Sequence, residues 1–452
     1  EQEYFSRLEK FIEGGSKEQR SYWEDTARPA QSAPSQGAPA QSAPAQSAPS
    51  QGAPSQSARS QSARSQSARS LEIPCSVLLV TASLQAGGAE RQWSYLAREL
   101  DSRGYEVTLL TLDRAIGERG HYRSLLEDSN VSIVSLEDLS FQLSEDEREE
   151  RLECILNPLV QRSFREINHK LRRCCELILM KRPMLVACQL DQANIIGGLA
   201  AVLMGTPRIS LSFRNVNPEN FPRFHKSWFK RAYQALARCK RVVFTGNSKL
   251  GNRDYARWLG LKEKQIALVR NGVEAPVRIT THKEGEGARA VLTDTAGNVA
   301  PLICGVFRLD QEKRPELFVE ILAELIQTAS QAGHPPPSGV ILGEGPQRKS
   351  VEALIRTYSL QNRLFLLGRR SDVDEFLAAS QLLLLTSRFE GCPNVVLEAQ
   401  RLGIPVVAAD VGDVSKIVEH GKSGFVCPPD SRDSFVEQSR RLLKDDELRK
   451  NL

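Results

Sequence analysis

From residue 76 onward, short runs of unbroken apolar residues alternate with longer stretches of helical periodicity. The runs at 76–82, 107–112, 131–134, 184–188, 208–212 and 241–245 are separated by patterns such as 89–103, where Trp93, Leu96, Ala97 and Leu100 recur at helical spacing. A long charged helical region is expected between 145 and 181. Continuous hydrophobicity, rather than alternation, marks strands buried on both faces, and so a parallel sheet covered by helices on each side. A second series runs through 302–307, 340–342, 364–367, 382–386, 405–409 and 424–427. The expected fold class is α/β, with two facing doubly wound domains at 71–276 and 300–452 joined by a polar connection at 277–299. In such sheets a ligand lies in the crevice beyond the carboxyl ends of the strands.

The first 70 residues have a different character. Residues 1–28 read as a short charged helix, a pattern that also fits the tail of an upstream domain. Residues 29–70 repeat a five-residue Ser/Gln/Ala/Pro unit that later becomes SQSAR. With almost nothing apolar to bury, this stretch cannot offset the entropy of ordering and reads as a disordered low-complexity linker. The chain begins at Glu1 and stops inside an apparent helix, so completeness at either terminus stays open.

The formal net charge is +5, and Arg59, Arg64 and Arg69 in the linker supply three of those charges, which argues against nucleic acid as a partner. The nine cysteines form no C-x-x-C pair, which disfavours zinc and dithiol redox chemistry. Their odd number suits a reducing cytosol. The longest apolar stretch, 195–204, is too short to span a bilayer, which needs ~20 residues. The expected location is cytoplasmic, with membrane association left open.

The strongest local signal is Phe389-Glu390-Gly391-Cys392-Pro393-Asn394-Val395-Val396-Leu397-Glu398-Ala399. An apolar strand ends in a turn at Glu390-Gly391, and a helix is expected to begin near Pro393, a residue suited to the first helical position. The free amides of Asn394, Val395 and Val396 would then point into the crevice, where they can hold an anion. Glu398 lies one turn deeper on the same face. A diphosphate flanked by hydroxyl-rich groups fits this layout; two solvated glutamates favoured by the helix dipole fit it equally well.

Glu-x7-Glu after an apolar strand, continuing into Ala399-x-x-x-Gly403-Ile-Pro405, resembles the donor site of retaining GT-B glycosyltransferases, specifically family 4, whose two domains are Rossmann-like. Arg308 and Lys313 resemble that family's cationic pair. Gly343-Glu344-Gly345-Pro346, Leu367-Gly368, Asn271-Gly272-Val273 and Gly424-Phe425-Val426 are similar to its loops, and Gly87-Gly88-Ala89-Glu90 to its first-domain glycine loop. The resemblance implies that Arg308 and Lys313 stabilise the leaving diphosphate and that Glu390 meets donor-sugar hydroxyls. It also implies that Glu398 meets the ribose, with Gly343, Gly345, Gly368, Pro393, Asn394 and Val395 completing the donor site. The nucleotide sugar is then a co-substrate, and no metal or other cofactor is expected. Positive groups placed in advance where charge develops supply much of such catalysis.

The sequence also departs from that family. Gln189-Leu190-Asp191 stands where a histidine is common, and Gly412-Asp413-Val414-Ser415-Lys416 where Gly-Gly-x-x-Glu is usual. Asp191 reads either as a crevice residue or as a helix N-cap, and Arg214 is a further crevice candidate. Gly87 and Gly88 let backbone approach a ligand, but their loop lacks the dinucleotide-binding G-x-G-x-x-G spacing. Segment 221–241 mixes aromatics with Lys and Arg, which fits a helix facing anionic lipid or a core-facing helix with solvated cations. The expected activity is transfer of a sugar, with retention, from a UDP-sugar to a glycan or lipid-linked acceptor. A nucleotide-sugar epimerase and a non-catalytic glycan- or nucleotide-binding module are the alternatives.

Overall fold

The computed structural model describes residues 75–139, 165–221, 225–273 and 300–452. The readings made for 1–28, 29–70 and 277–299, and much of that for 145–181, lie outside the described residues.

Seven parallel strands form the first sheet: β1 (Ser76–Thr81), β2 (Glu106–Thr111), β3 (Ser132–Ser135), β4 (Leu185–Gln189), β5 (Arg208–Phe213), β6 (Val242–Gly246) and β7 (Ile266–Leu268). Their spatial order is β3-β2-β1-β4-β5-β6-β7. The second sheet holds β8 (Leu302–Val306), β9 (Ser338–Leu342), β10 (Leu364–Gly368), β11 (Leu382–Leu385), β12 (Val406–Ala409) and β13 (Gly424–Cys427) in the order β10-β9-β8-β11-β12-β13. The winding direction reverses between β1 and β4 in one sheet and between β8 and β11 in the other. Crevices open at these switch points.

The helices of the first domain are α1 (Gly88–Ser102), α2 (Arg165–Lys181), α3 (Asp191–Leu203), α4 (Phe229–Ala237) and α5 (Lys249–Leu259). Those of the second are α6 (Pro315–Gln331), α7 (Arg348–Thr357), α8 (Val373–Ala378), α9 (Asn394–Arg401), α10 (Val414–Ile417), α11 (Arg432–Lys444) and α12 (Asp446–Asn451). In β1, Leu78 and Val80 pack into one core while Val77 and Leu79 pack into another on the opposite face. That two-sided burial explains the unbroken apolar runs. Helix α3 is buried from Ala193 to Leu203, so it carries no polar stripe.

Short or mostly exposed elements escape the periodicity reading. β7 has only Ile266 buried, and a 3-10 segment at Gly117–Leu126 buries only Leu126.

Candidate active site

A cavity of about 720 Å³ lies between the carboxyl ends of the two sheets. The first domain contributes Gly87, Gly88, Arg91 and Arg214 to its wall, and the second Arg308, Lys313, Gly343, Gly345, Glu390, Pro393, Asn394, Val395 and Glu398.

Lys313 and Glu390 meet directly. Lys313 Nζ lies 2.5 Å from Glu390 Oε1, and the Glu390 side chain is 9% exposed. The loop after β8 presents Lys313 through an unusual backbone at Arg314, which sits at φ 51°, ψ 57°. A non-glycine residue is strained there, and a web of bonds holds it. Thr386 Oγ1 donates to the carbonyls of Lys313 (2.9 Å) and Arg314 (3.1 Å), while Arg314 Nε donates to the Thr386 carbonyl at 3.0 Å. Arg314 also reaches Asp430 and the Pro429 carbonyl. The preceding Arg308 is half exposed on the same wall and pairs with Asp310 at 3.3 Å. Burial pushes the Asp310 carboxyl up to about 6, despite the Arg308 charge beside it.

Helix α9 begins one residue later than expected, with Pro393 as its N-cap. The Val396 N–H is taken by the Pro393 carbonyl at 3.2 Å, so Val396 is not one of the free amides. Among the described residues no acceptor takes the N–H of Asn394 or Val395. Asn394 reaches across the gap, with Nδ2 donating to the Gly88 carbonyl at 2.8 Å. That approach requires glycine, because a Cβ on Gly88 would stand 2.8 Å from Asn394 Nδ2. Glu398 is buried and ion-paired with Arg91 of α1. Gly343 has φ 151°, and a Cβ there would stand 2.0 Å from the Phe307 carbonyl oxygen. Gly345 also lies against backbone, that of Leu309.

Two expected site residues do not reach the cavity wall. Gly368 stands behind Gly343, accepting its N–H at 2.7 Å; its neighbours Arg369 and Arg370 line the cavity instead. Asp191 is neither a crevice residue nor the N-cap of α3, a position held by Leu190 at φ 67°. Its Oδ1 accepts from the hydroxyls of Tyr233 and Tyr255, each at 2.8 Å, inside an aromatic cluster with Phe213. Burial raises its carboxyl above the usual range against the pull of both hydroxyls.

Asn271 and Asp413, which were not among the expected site residues, tie the site together. Asn271 Nδ2 donates to the Cys392 carbonyl (2.9 Å) and Asn394 Oδ1 (2.6 Å), while Asn271 Oδ1 accepts from Arg214. Asp413 accepts from the backbone N–H groups of Lys249 (2.8 Å) and Leu250 (3.0 Å) at the start of α5, and pairs with Arg270 at 2.9 Å. The departure at Gly412-Asp413 is thus an interdomain fastening. Within 221–241, Phe229, Ala232, Tyr233, Ala235 and Leu236 are buried and Trp228 packs against them, which is the core-facing reading. Lys226, Lys230 and Arg231 stay exposed.

Residues 297–452 match the family model for glycosyl transferases group 1, and residues 86–275 match that for glycosyltransferase family 4. Each of the two domains thus matches a glycosyltransferase family model, and two facing Rossmann-like domains around one cavity are the GT-B architecture. Among curated relatives, the Vi polysaccharide biosynthesis protein VipC/TviE of Salmonella typhi is 30% identical over 365 residues, covering 77% of this chain and 61% of that protein. The chain therefore spans about three fifths of that relative's length. The UDP-Gal:alpha-D-GlcNAc-diphosphoundecaprenol alpha-1,3-galactosyltransferase of Escherichia coli is 26% identical over 56% of this chain and 65% of its own. Anabaena HepE, solved with UDP and glucose, superposes with a TM-score of 0.64 at 19% identity, over 83% of this chain and 93% of that one. At that identity the likeness concerns the fold.

Proposed function

We propose that the two-domain unit transfers a sugar from a UDP-sugar to a glycan or lipid-linked acceptor, with retention at the anomeric carbon. The observation that carries this reading is the convergence of Lys313, Arg308, Glu390 and Glu398 on one cavity wall beside the start of α9. The diphosphate lies against the amides of Asn394 and Val395 and the glycine loop at Gly87–Gly88, with Arg308 and Lys313 taking up the charge that develops on it. Glu390 exchanges part of its contact with Lys313 for donor-sugar hydroxyls, and Glu398 accepts from the ribose. As the anomeric C–O bond to phosphate breaks, the acceptor oxygen bonds on the same face and its proton passes to the leaving phosphate oxygen. The two cations take the role a divalent metal would fill, so the reaction proceeds without one.

The relatives' names support this substrate class: one is a UDP-galactose transferase acting on a diphosphoundecaprenol-linked sugar, and another belongs to polysaccharide biosynthesis. A lipid-linked acceptor at the cytoplasmic membrane face also suits the exposed Lys226, Lys230 and Arg231. A thermal-shift screen against UDP, GDP, ADP and their sugars tests the donor, since binding raises the melting temperature by mass action. The anomeric configuration of the product, read by proton NMR, tests retention. An isomerised sugar formed without acceptor would instead make the protein an epimerase.

A further inference from the structure

Arg214 stands apart from the other cations around the cavity. Each of the other six Lys and Arg side chains lining it has a carboxylate partner, as Lys313 has Glu390 and Arg369 has Glu118. Among the described residues no carboxylate lies within ion-pair distance of Arg214. Its Nε donates to Gln189 Oε1 at 3.2 Å and its Nη1 to Asn271 Oδ1 at 3.0 Å, both neutral acceptors. The guanidinium lies over the Trp93 ring, 5.4 Å from its centroid. Glu90, close enough to act on it electrostatically, is itself buried, and its carboxyl is pushed up by that burial. Burial also lowers Arg214 to about 10.

A desolvated guanidinium with only neutral partners is costly, and a planar fork whose Nη2 has no hydrogen-bond partner among the described residues matches a carboxylate or phosphate group. The location says which substrate brings that anion. Arg214 follows β5 of the first domain, and its backbone carbonyl packs against Gly391, beside Glu390. It therefore faces the sugar end of the cavity from the domain opposite Lys313 and Glu390. We propose that Arg214 binds an anionic group carried by the acceptor, a carboxylate or a phosphate near the hydroxyl that receives the sugar. This rests on the glycosyltransferase reading and gives its acceptor a chemical class.

Calorimetric titration of the full chain with glucose, glucuronate and glucose 1-phosphate, each with and without saturating UDP, tests the idea. At least one charged probe should bind tenfold or more tightly than glucose, and the better of the two identifies carboxylate or phosphate as the source. Arg214→Met should abolish that advantage and Arg214→Lys should keep part of it, with a cooperative melt showing that each variant is folded. Equal binding of all three probes by the wild-type chain, or an advantage that survives in Arg214→Met, overturns the proposal. Absence of UDP binding would count against the glycosyltransferase reading alone, because the probes are also compared without nucleotide.

Discussion

Arg91 of α1 forms an ion pair with Glu398 of α9, joining the two domains through the carboxylate assigned to the donor ribose. The Glu398 side chain is 7% exposed and that of Arg91 is 22% exposed, so the pair is only partly screened by water. A nucleotide whose ribose engages Glu398 competes with Arg91 for that carboxylate. Arg91→Met is expected to tighten UDP binding by about fivefold, the equivalent of a modest ion pair released in advance. The same change should lower the melting temperature of the unliganded protein, because it leaves Glu398 without its cation. Calorimetry and a thermal melt read both effects; weaker UDP binding by the variant would refute the competition.

Lys313 sits against a nearly buried carboxylate, so its loss affects both chemistry and stability. Lys313→Met should reduce transfer by about 10²–10³-fold, the usual effect of removing one group preorganised toward developing charge. It should also destabilise the fold by about 1–3 kcal/mol, since Glu390 is left buried without its partner. Steady-state rates and urea unfolding measure the two separately. Near-normal turnover would remove Lys313 from the mechanism.

Gly88 and Gly343 are both site glycines, but alanine should affect them differently. At Gly88 the new methyl meets the end of the Asn394 side chain, which can swing away at the cost of its bond to the Gly88 carbonyl. Gly88→Ala should therefore cost about 1 kcal/mol of stability while slowing transfer severalfold. At Gly343 the methyl meets backbone at φ 151°, where no rotamer gives relief. Gly343→Ala should cost about 3 kcal/mol or more. Comparing the two unfolding midpoints decides the matter.

Asp191 makes a signed prediction about pH. Its folded carboxyl titrates above its unfolded value because burial outweighs the two tyrosine hydroxyls. The native state therefore holds that proton more tightly, and the contribution of Asp191 to stability declines as pH rises from the unfolded pKa through the raised folded one. Asp191→Asn, which does not ionise, should gain on the wild type as pH increases across that window. It should also leave transfer within about threefold, as expected of a core residue that does not line the cavity. Urea midpoints at pH 4 and pH 8 give the first comparison; a constant difference between the two proteins would contradict it.

The doubly wound architecture was legible because each strand lies between two apolar layers, which leaves runs such as 76–82 unbroken. That Arg308, Lys313, Glu390 and Glu398 line one cavity was legible because each is close in sequence to a strand end. What escaped was contact between distant segments: Arg91 with Glu398, Asn271 with Asn394, and Asp413 with the first turn of α5. No local pattern marks an arginine in α1 as the partner of a glutamate some three hundred residues later. Asp191 was misplaced for a related reason. A carboxylate just after a strand suggests a ligand site, and only the fold shows Tyr233 and Tyr255 closing over it.

Asp413 has a mechanical consequence. It satisfies two amides of a helix in the opposite lobe while remaining shielded from water, so its bonds cannot be exchanged for solvent without exposing it. Asp413 therefore ties the second domain to the first turn of α5 and to Arg270 at the base of the cleft. The loop bearing Asp413 packs against the Glu390–Gly391 turn, with the Asp413 N–H on the Gly391 carbonyl. One aspartate thus links the first turn of α5 in one domain to the turn that carries Glu390 in the other.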